Sequence, residues 1–262
     1  MARGLPKKRP IEGVKNVICV ASGKGGVGKS TTAVNLGLAL QKKLGLHIGL
    51  LDADVYGPSL PILMNLQGLN PLVNEESNKM LPLENYGVKC MSMGFLVKPQ
   101  DAIVWRGPMV MGALAKLAHG THWGPLDVLI VDLPPGTGDI QLSLAQTVPI
   151  LGSVIVSTPQ KLATADALKA VKMFQTVQVP ILGLIENMAS FECPKCGELT
   201  RIFGQNTTEK FEDIEVLGCL PLDIEIMKNS DRGTPIVLQD PDSNSAKIYQ
   251  DIAEKLKPLL HL

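Results

Sequence analysis

The chain has 262 residues, 45% of them hydrophobic, which is enough to bury a substantial core within a single α/β domain. Its 25 basic and 25 acidic side chains cancel, and aromatics are only 4%, so neither an overall field nor a set of stacking platforms draws it to nucleic acid. No apolar run reaches the ~20 residues of a bilayer span, which argues against stable membrane insertion.

Residues 1–13 are basic up to Glu12 and are broken by Pro6 and Pro10, so they read as a flexible lead-in and not as an intact targeting helix. Residues 14–262 read as one domain. Residues 16–22 form an apolar run ending near Gly23, and residues 31–44 carry apolar side chains at helical spacing: strand, glycine loop, helix. The pattern repeats with strands expected over 47–55, 88–95, 127–133, 152–158, 181–185 and 217–220. Helices are expected over 104–118, 140–147, 162–177 and 243–260. Continuously apolar strands such as 128–131 suit a sheet buried on both faces. The alternation predicts a mostly parallel sheet with helices on both sides, ligands gathering at the carboxyl ends of the strands. Residues 66–84, polar and rich in Asn and Pro, read as a loop or flap.

The loop Gly23-Lys24-Gly25-Gly26-Val27-Gly28-Lys29-Ser30, followed by Thr31, matches the phosphate-loop pattern between a strand and a helix. Ordinary residue frequencies would produce such a match in a chain this long only about one time in a hundred, and the context lowers that further. Glycines let successive N–H groups face phosphates, and the helix N-terminus adds positive potential. Lys29 would lie between the β- and γ-phosphates and Ser30 would ligate Mg²⁺. Lys24, a second lysine after the first glycine, marks the variant called the deviant Walker A loop, a class in which that lysine reaches the nucleotide of a second subunit. Two acidic strand ends complete the site: Asp132 as the residue holding Mg²⁺ through water, Asp54 to orient an attacking water and Asp52 to support the magnesium shell. The guanine-reading sequence Asn-Lys-x-Asp is absent, which favours ATP. Asn187 is a candidate for reading the adenine edge or a turn asparagine, with Pro221 nearby.

Cys193-Pro194-Lys195-Cys196-Gly197 turns two sulfurs to one side, but a metal needs about four ligands, and His119 and His122 are remote in sequence. Two copies meeting on a two-fold axis would supply four thiolates for a [4Fe–4S] cluster; zinc or a dithiol switch fits the same spacing. The remaining cysteines, Cys19, Cys90 and Cys219, lie in or beside apolar runs and read as buried thiols of a reducing compartment.

GKGGVGKST at 23–31, DADVYGPS at 52–59, MSMGF at 91–95, VWRGPMV at 104–110, DLPPGTGD at 132–139, STPQ at 157–160, ENM at 186–188 and CPKCG at 193–197 together resemble the Mrp/ApbC-type ATPases that carry iron–sulfur clusters. The likeness runs from about Val14 to the end, and the lead-in resembles a mitochondrial branch serving respiratory complex I. The resemblance implies a P-loop NTPase fold and slow ATP hydrolysis. It also implies a homodimer holding a labile [4Fe–4S] cluster through Cys193 and Cys196, delivery to apoproteins including complex I subunits, and residence in the mitochondrial matrix. Two other readings are a positioning ATPase of the Min or Par kind and a zinc-binding, nucleotide-dependent scaffold.

Overall fold

A computed structural model describes residues 8–97, 107–204, 211 and 213–262. In chain order the elements begin β1 (Val14–Ala21), α1 (Lys29–Leu44), β2 (Ile48–Asp52), the one-turn α2 (Leu60–Leu63), β3 (Val73–Asn74), β4 (Lys79–Met80), β5 (Leu83–Asn85) and β6 (Val88–Ser92). They continue α3 (Gly107–His119), β7 (Leu126–Asp132), α4 (Asp139–Thr147), β8 (Gly152–Ser157), α5 (Lys161–Thr176) and β9 (Ile181–Glu186). The last are β10 (Phe191–Glu192), β11 (Leu199–Thr200), β12 (Val216–Cys219), α6 (Ile224–Arg232), the short α7 (Ile236–Gln239) and α8 (Asn244–Leu256).

Eight strands form one sheet in the order β12-β9-β8-β1-β7-β2-β6-β5. All neighbours are parallel except β5, which runs antiparallel to β6. The direction of travel reverses at β1: the chain crosses from β1 towards β2 on one side and from β8 towards β9 on the other. Because such crossovers are right-handed, α1 and α5 fall on opposite faces. α8 joins α1 and α7 in one layer, burying Ala246, Tyr249, Ile252, Ala253 and Leu256. α3 packs with α4. The central strands have no exposed face: Ile18, Cys19 and Val20 on β1 and Val128 to Val131 on β7 are fully buried. That is why they read as unbroken apolar runs and not as alternation.

Two expectations are corrected and a third is made definite. Residues 66–84 are mostly loop, as expected, with short ordered pieces: Val73–Asn74 pairs with Lys79–Met80, Met80 bridges to Thr121, and Leu83 begins the edge strand β5. These pieces are too short to show a period; neighbouring hairpin partners hold them, together with the one long-range bridge to Thr121. The lead-in is tethered in its second half, where Arg9 N donates to Thr147 O and Ile11 is buried; residues 1–7 lie outside the described residues. Cys219 is exposed, because β12 is an edge strand; Cys19 and Cys90 are interior as expected, burial pushing both thiols well up from their ordinary range. At the same edge Lys255 Nζ donates to the carbonyls of Val216 and Leu217. The helix expected over 104–118 is seen from Gly107, residues 104–106 lying outside the described residues. Among the described residues no helix is long and apolar enough to cross a membrane.

Candidate nucleotide and cysteine sites

The phosphate loop leaves β1 at the reversal point of the sheet, where the carboxyl ends of β7 and β8 flank it. Ser22 Oγ donates to Lys24 O, and Gly136 N donates to Ser22 O, pinning the loop to the chain after β7. Two glycines are sterically required. A Cβ on Gly23 would lie 2.1 Å from the Asp166 carbonyl carbon on α5, and one on Gly28 would lie 2.2 Å from Asn187 Nδ2 at a φ of +81°. Gly28 then opens α1, which has neither a side-chain cap nor an acidic residue in its first turn. The loose N–H groups and dipole of a 16-residue helix therefore face the loop uncompensated, as an anion site requires.

Lys29 is buried, and its Nζ donates to Asp132 Oδ1 at 2.5 Å and lies 3.2 Å from Ser30 Oγ. β2 and β7 run in register, pairing Asp52 with Asp132, so two carboxylates end adjacent strands. Burial raises Asp132 above the ordinary carboxylate range while Lys29 opposes that rise. Asp52 is pushed up to about 7, by burial first and by Asp132 second. Its oxygens accept from Asp54 N, Ser59 N, Leu60 N and Ser92 Oγ at 3.0–3.2 Å. Asp52 thus anchors the 54–60 turn, a role sequence spacing gave no sign of. Ser59 and Ser92 could have been suspected from position alone, since Ser92 ends β6 and Ser59 follows β2, both on the ligand side of a parallel sheet.

Asp54, half-buried, accepts from Gly57 N at 3.2 Å and lines a separate cleft of about 520 Å³ with Tyr56, Pro134, Asp139 and Gln141. Lys24 Nζ donates to Gln160 Oε1 of its own chain at 3.0 Å. Asn187 Nδ2 donates to the carbonyl of Val27 inside the phosphate loop at 2.8 Å, while its Oδ1 accepts from Met188 N. Half of the amide's hydrogen-bonding capacity is therefore spent on the loop and the turn. Beside it opens a cleft of about 360 Å³ lined by Gly28, Thr31, Asn187, Pro221, Asp223 and Met227, the natural place for a base next to the phosphates. An uncapped helix start, a buried ammonium, the Ser30 hydroxyl and two carboxylates form a donor set that fits a magnesium–nucleotide.

Cys193 and Cys196 sit on the tip of the β10–β11 hairpin, closed by Cys193 N to Glu198 O and by Gly197 N to Cys193 O, with Gly197 at φ +72°. Cys193 is half-buried and Cys196 exposed. The amides of Lys195 and Cys196 hold the Cys193 thiol below its ordinary range, the usual preparation of a sulfur for metal. Among the described residues no three His, Cys, Asp or Glu side chains come close enough to hold a metal ion. His119 and His122 precede β7, whereas the hairpin follows β9, so they stand at opposite ends of a parallel sheet. The hairpin borders a cleft of about 490 Å³ that shares Pro221, Leu222 and Asp223 with the base cleft.

The family model of the ParA group described as the NUBPL iron-transfer P-loop NTPase matches residues 13–257. This chain belongs to that family. The mouse protein named iron-sulfur cluster transfer protein NUBPL is 56% identical over 260 residues, covering 98% of this chain and 81% of its own length. An Arabidopsis thaliana protein named as an iron-sulfur protein required for NADH dehydrogenase, mitochondrial, is 54% identical over 97% of this chain and 82% of its own. Among solved structures, an Archaeoglobus fulgidus nucleotide-binding protein in complex with ADP superposes with a TM-score of 0.76 at 36% identity, covering 91% of this chain and 93% of that one. The Pyrococcus furiosus cell division ATPase MinD superposes at 0.69 with 19% identity over 94% and 99% of the two chains, a likeness of fold. The expected α/β P-loop architecture is therefore the one this family has.

Proposed function

We propose that the chain is a nucleotide-binding iron–sulfur cluster carrier whose cargo is held by Cys193 and Cys196. The observation that carries this is an exposed two-thiol hairpin beside a complete phosphate loop, in a family described by iron transfer. The names of the mouse and Arabidopsis relatives support cluster transfer, and the latter supports service to the mitochondrial NADH dehydrogenase and hence residence in the mitochondrial matrix. One hairpin offers two sulfurs, so a [4Fe–4S] cargo requires a homodimer in which two hairpins converge. Lys24, which in this arrangement leaves Gln160 for the partner's nucleotide, asks for the same dimer.

At the other site, the phosphates of ATP compete with Asp132 for the Lys29 ammonium. Released from the lysine, Asp132 is free to hold Mg²⁺ through water beside Ser30, with Asp52 behind it, and the metal would neutralise charge on the β- and γ-phosphates. Asp54, on the flanking cleft, orients the attacking water. Slow hydrolysis would then reset the carrier.

Anaerobic loading with iron and sulfide tests the reading. Wild type should carry one cluster per pair of chains, with brown absorbance that Cys193→Ser and Cys196→Ser each abolish. Unchanged iron, sulfide and colour in those variants would remove the cysteine assignment, and zinc in place of iron and sulfide in protein purified without oxygen would favour a scaffold.

A further inference from the structure

The cysteine hairpin and the phosphate loop are joined by a short arm with defined anchors. At its root Asn187, nine-tenths buried, donates Nδ2 to the carbonyl of Val27 at 2.8 Å, and its backbone N–H donates to Ser157 O at 2.7 Å. Met188 follows at φ +56°, a left-handed conformation that a residue with a side chain seldom adopts and that Asn187 Oδ1 secures by accepting from Met188 N. Ala189 N donates to Leu220 O, and Leu222 N to Ser190 O. Cys193 comes six positions after Asn187. The strand-like link from Ala189 to Ser190 therefore lies against the Leu220–Leu222 segment, whose residues 221 and 222 line both the base cleft and the cysteine cleft.

The Val27 carbonyl belongs to the loop that must wrap phosphates, and Asn187 is close enough to it that Gly28 has no room for a Cβ. Because the contact is buried, a shift of the loop on nucleotide binding either carries the Asn187 amide with it or leaves a buried donor unpaired, which is costly. A displacement of the amide would reach the arm through the Met188 turn, which Asn187 Oδ1 holds in its left-handed conformation, and Cys193 lies at the end of that arm. From these contacts we infer that Asn187 is a positioning residue, coupling occupation of the phosphate loop to the placement of the cysteine hairpin. It acts through backbone and not through charge, and it needs no contact between nucleotide and thiol. The inference deepens the carrier reading and takes from it only that the hairpin is the cargo site.

Amide hydrogen exchange of the metal-free protein, with and without saturating ADP, tests it in the full chain. In wild type, ADP should change exchange of the 191–200 hairpin by at least about fivefold, the low end of ordinary coupling between sites. Asn187→Ala, at ADP concentrations that saturate it, should lose that response while the phosphate loop still gains protection. Insertion of two glycines between Ala189 and Ser190, which spares the Val27 contact, should lose it too, and decides the matter if Asn187→Ala fails to fold. A residue of merely structural importance would raise exchange equally in both states and leave the ratio intact. No ADP response in wild type, or an undiminished response in either folded variant, overturns the inference. Because no cluster is present, failure of iron loading with the coupling intact would count against the carrier reading alone.

Discussion

Replacing Lys29 by Met keeps most of the aliphatic stem and removes the charge, so its cost reports the buried pair and little else. In wild type the ammonium sits 2.5 Å from Asp132, with side-chain exposures of 6% and 10%. Stripped of it, Asp132 remains buried beside Asp52. Breaking such a pair by removing one partner costs about 3–5 kcal/mol. Proton uptake sets an independent ceiling: at pH 7, protonating in the folded state a carboxyl that titrates near 3.8 in the unfolded chain costs about 4 kcal/mol. The two figures agree. The sign follows from linkage: with its folded pKa raised, Asp132 is not penalised below about pH 4 and becomes increasingly costly as pH rises towards its folded value. Lys29→Met should therefore be at most about 4 kcal/mol less stable than wild type at pH 7; because Asp132 is already raised in wild type, the gap should shrink by at most about 1.4 kcal/mol per unit as pH falls and close near the wild-type folded value. Urea unfolding at pH 7 and pH 5, in chelator and without nucleotide, measures it, and Lys29→Met combined with Asp132→Asn should recover much of the loss. A gap independent of pH, or a double variant no more stable than the single one, would refute the reasoning.

Gly28→Ala places a methyl 2.2 Å from Asn187 Nδ2 at a left-handed φ, so nucleotide affinity should fall by about 5- to 150-fold for a strain of about 1–3 kcal/mol, measured by titration with ADP. Asp54→Ala, whose side chain accepts from Gly57 N and lines the flanking cleft, should retain ATP binding and lose phosphate release; equal turnover in variant and wild type would overturn the role given to Asp54.

How much of this could be read from the chain depends on where each interaction closes. β1, β7 and β8 are buried on both faces and announce themselves as apolar runs, and the phosphate loop is contiguous, so its chemistry lies in eight successive letters. α6 is missed: its apolar side chains Ile224, Ile226 and Met227 are confined to the first turn of a nine-residue, otherwise polar helix, too short a run to establish a helical period. Its start is fixed instead by Asp223, which caps Glu225 N and accepts from Ser245 Oγ on α8. The contact of Asn187 with Val27 spans 160 positions, and the four donors on Asp52 converge only once β2, β6 and the 54–60 turn are assembled. Cys219 sits in a run that looks interior, and only the strand order reveals that, among the described residues, no further strand pairs beyond it.

The margins of the sheet bear on how the protein behaves when concentrated. A bare outer strand invites the strand of a neighbour, and such additions propagate into aggregates. Here one side stops at the three-residue β5, too brief to template a long ladder, and on the other Lys255 occupies two carbonyls of β12 while placing a positive charge where an incoming backbone would dock. Neutralising that lysine would leave the interior untouched yet make the molecule stickier at high concentration.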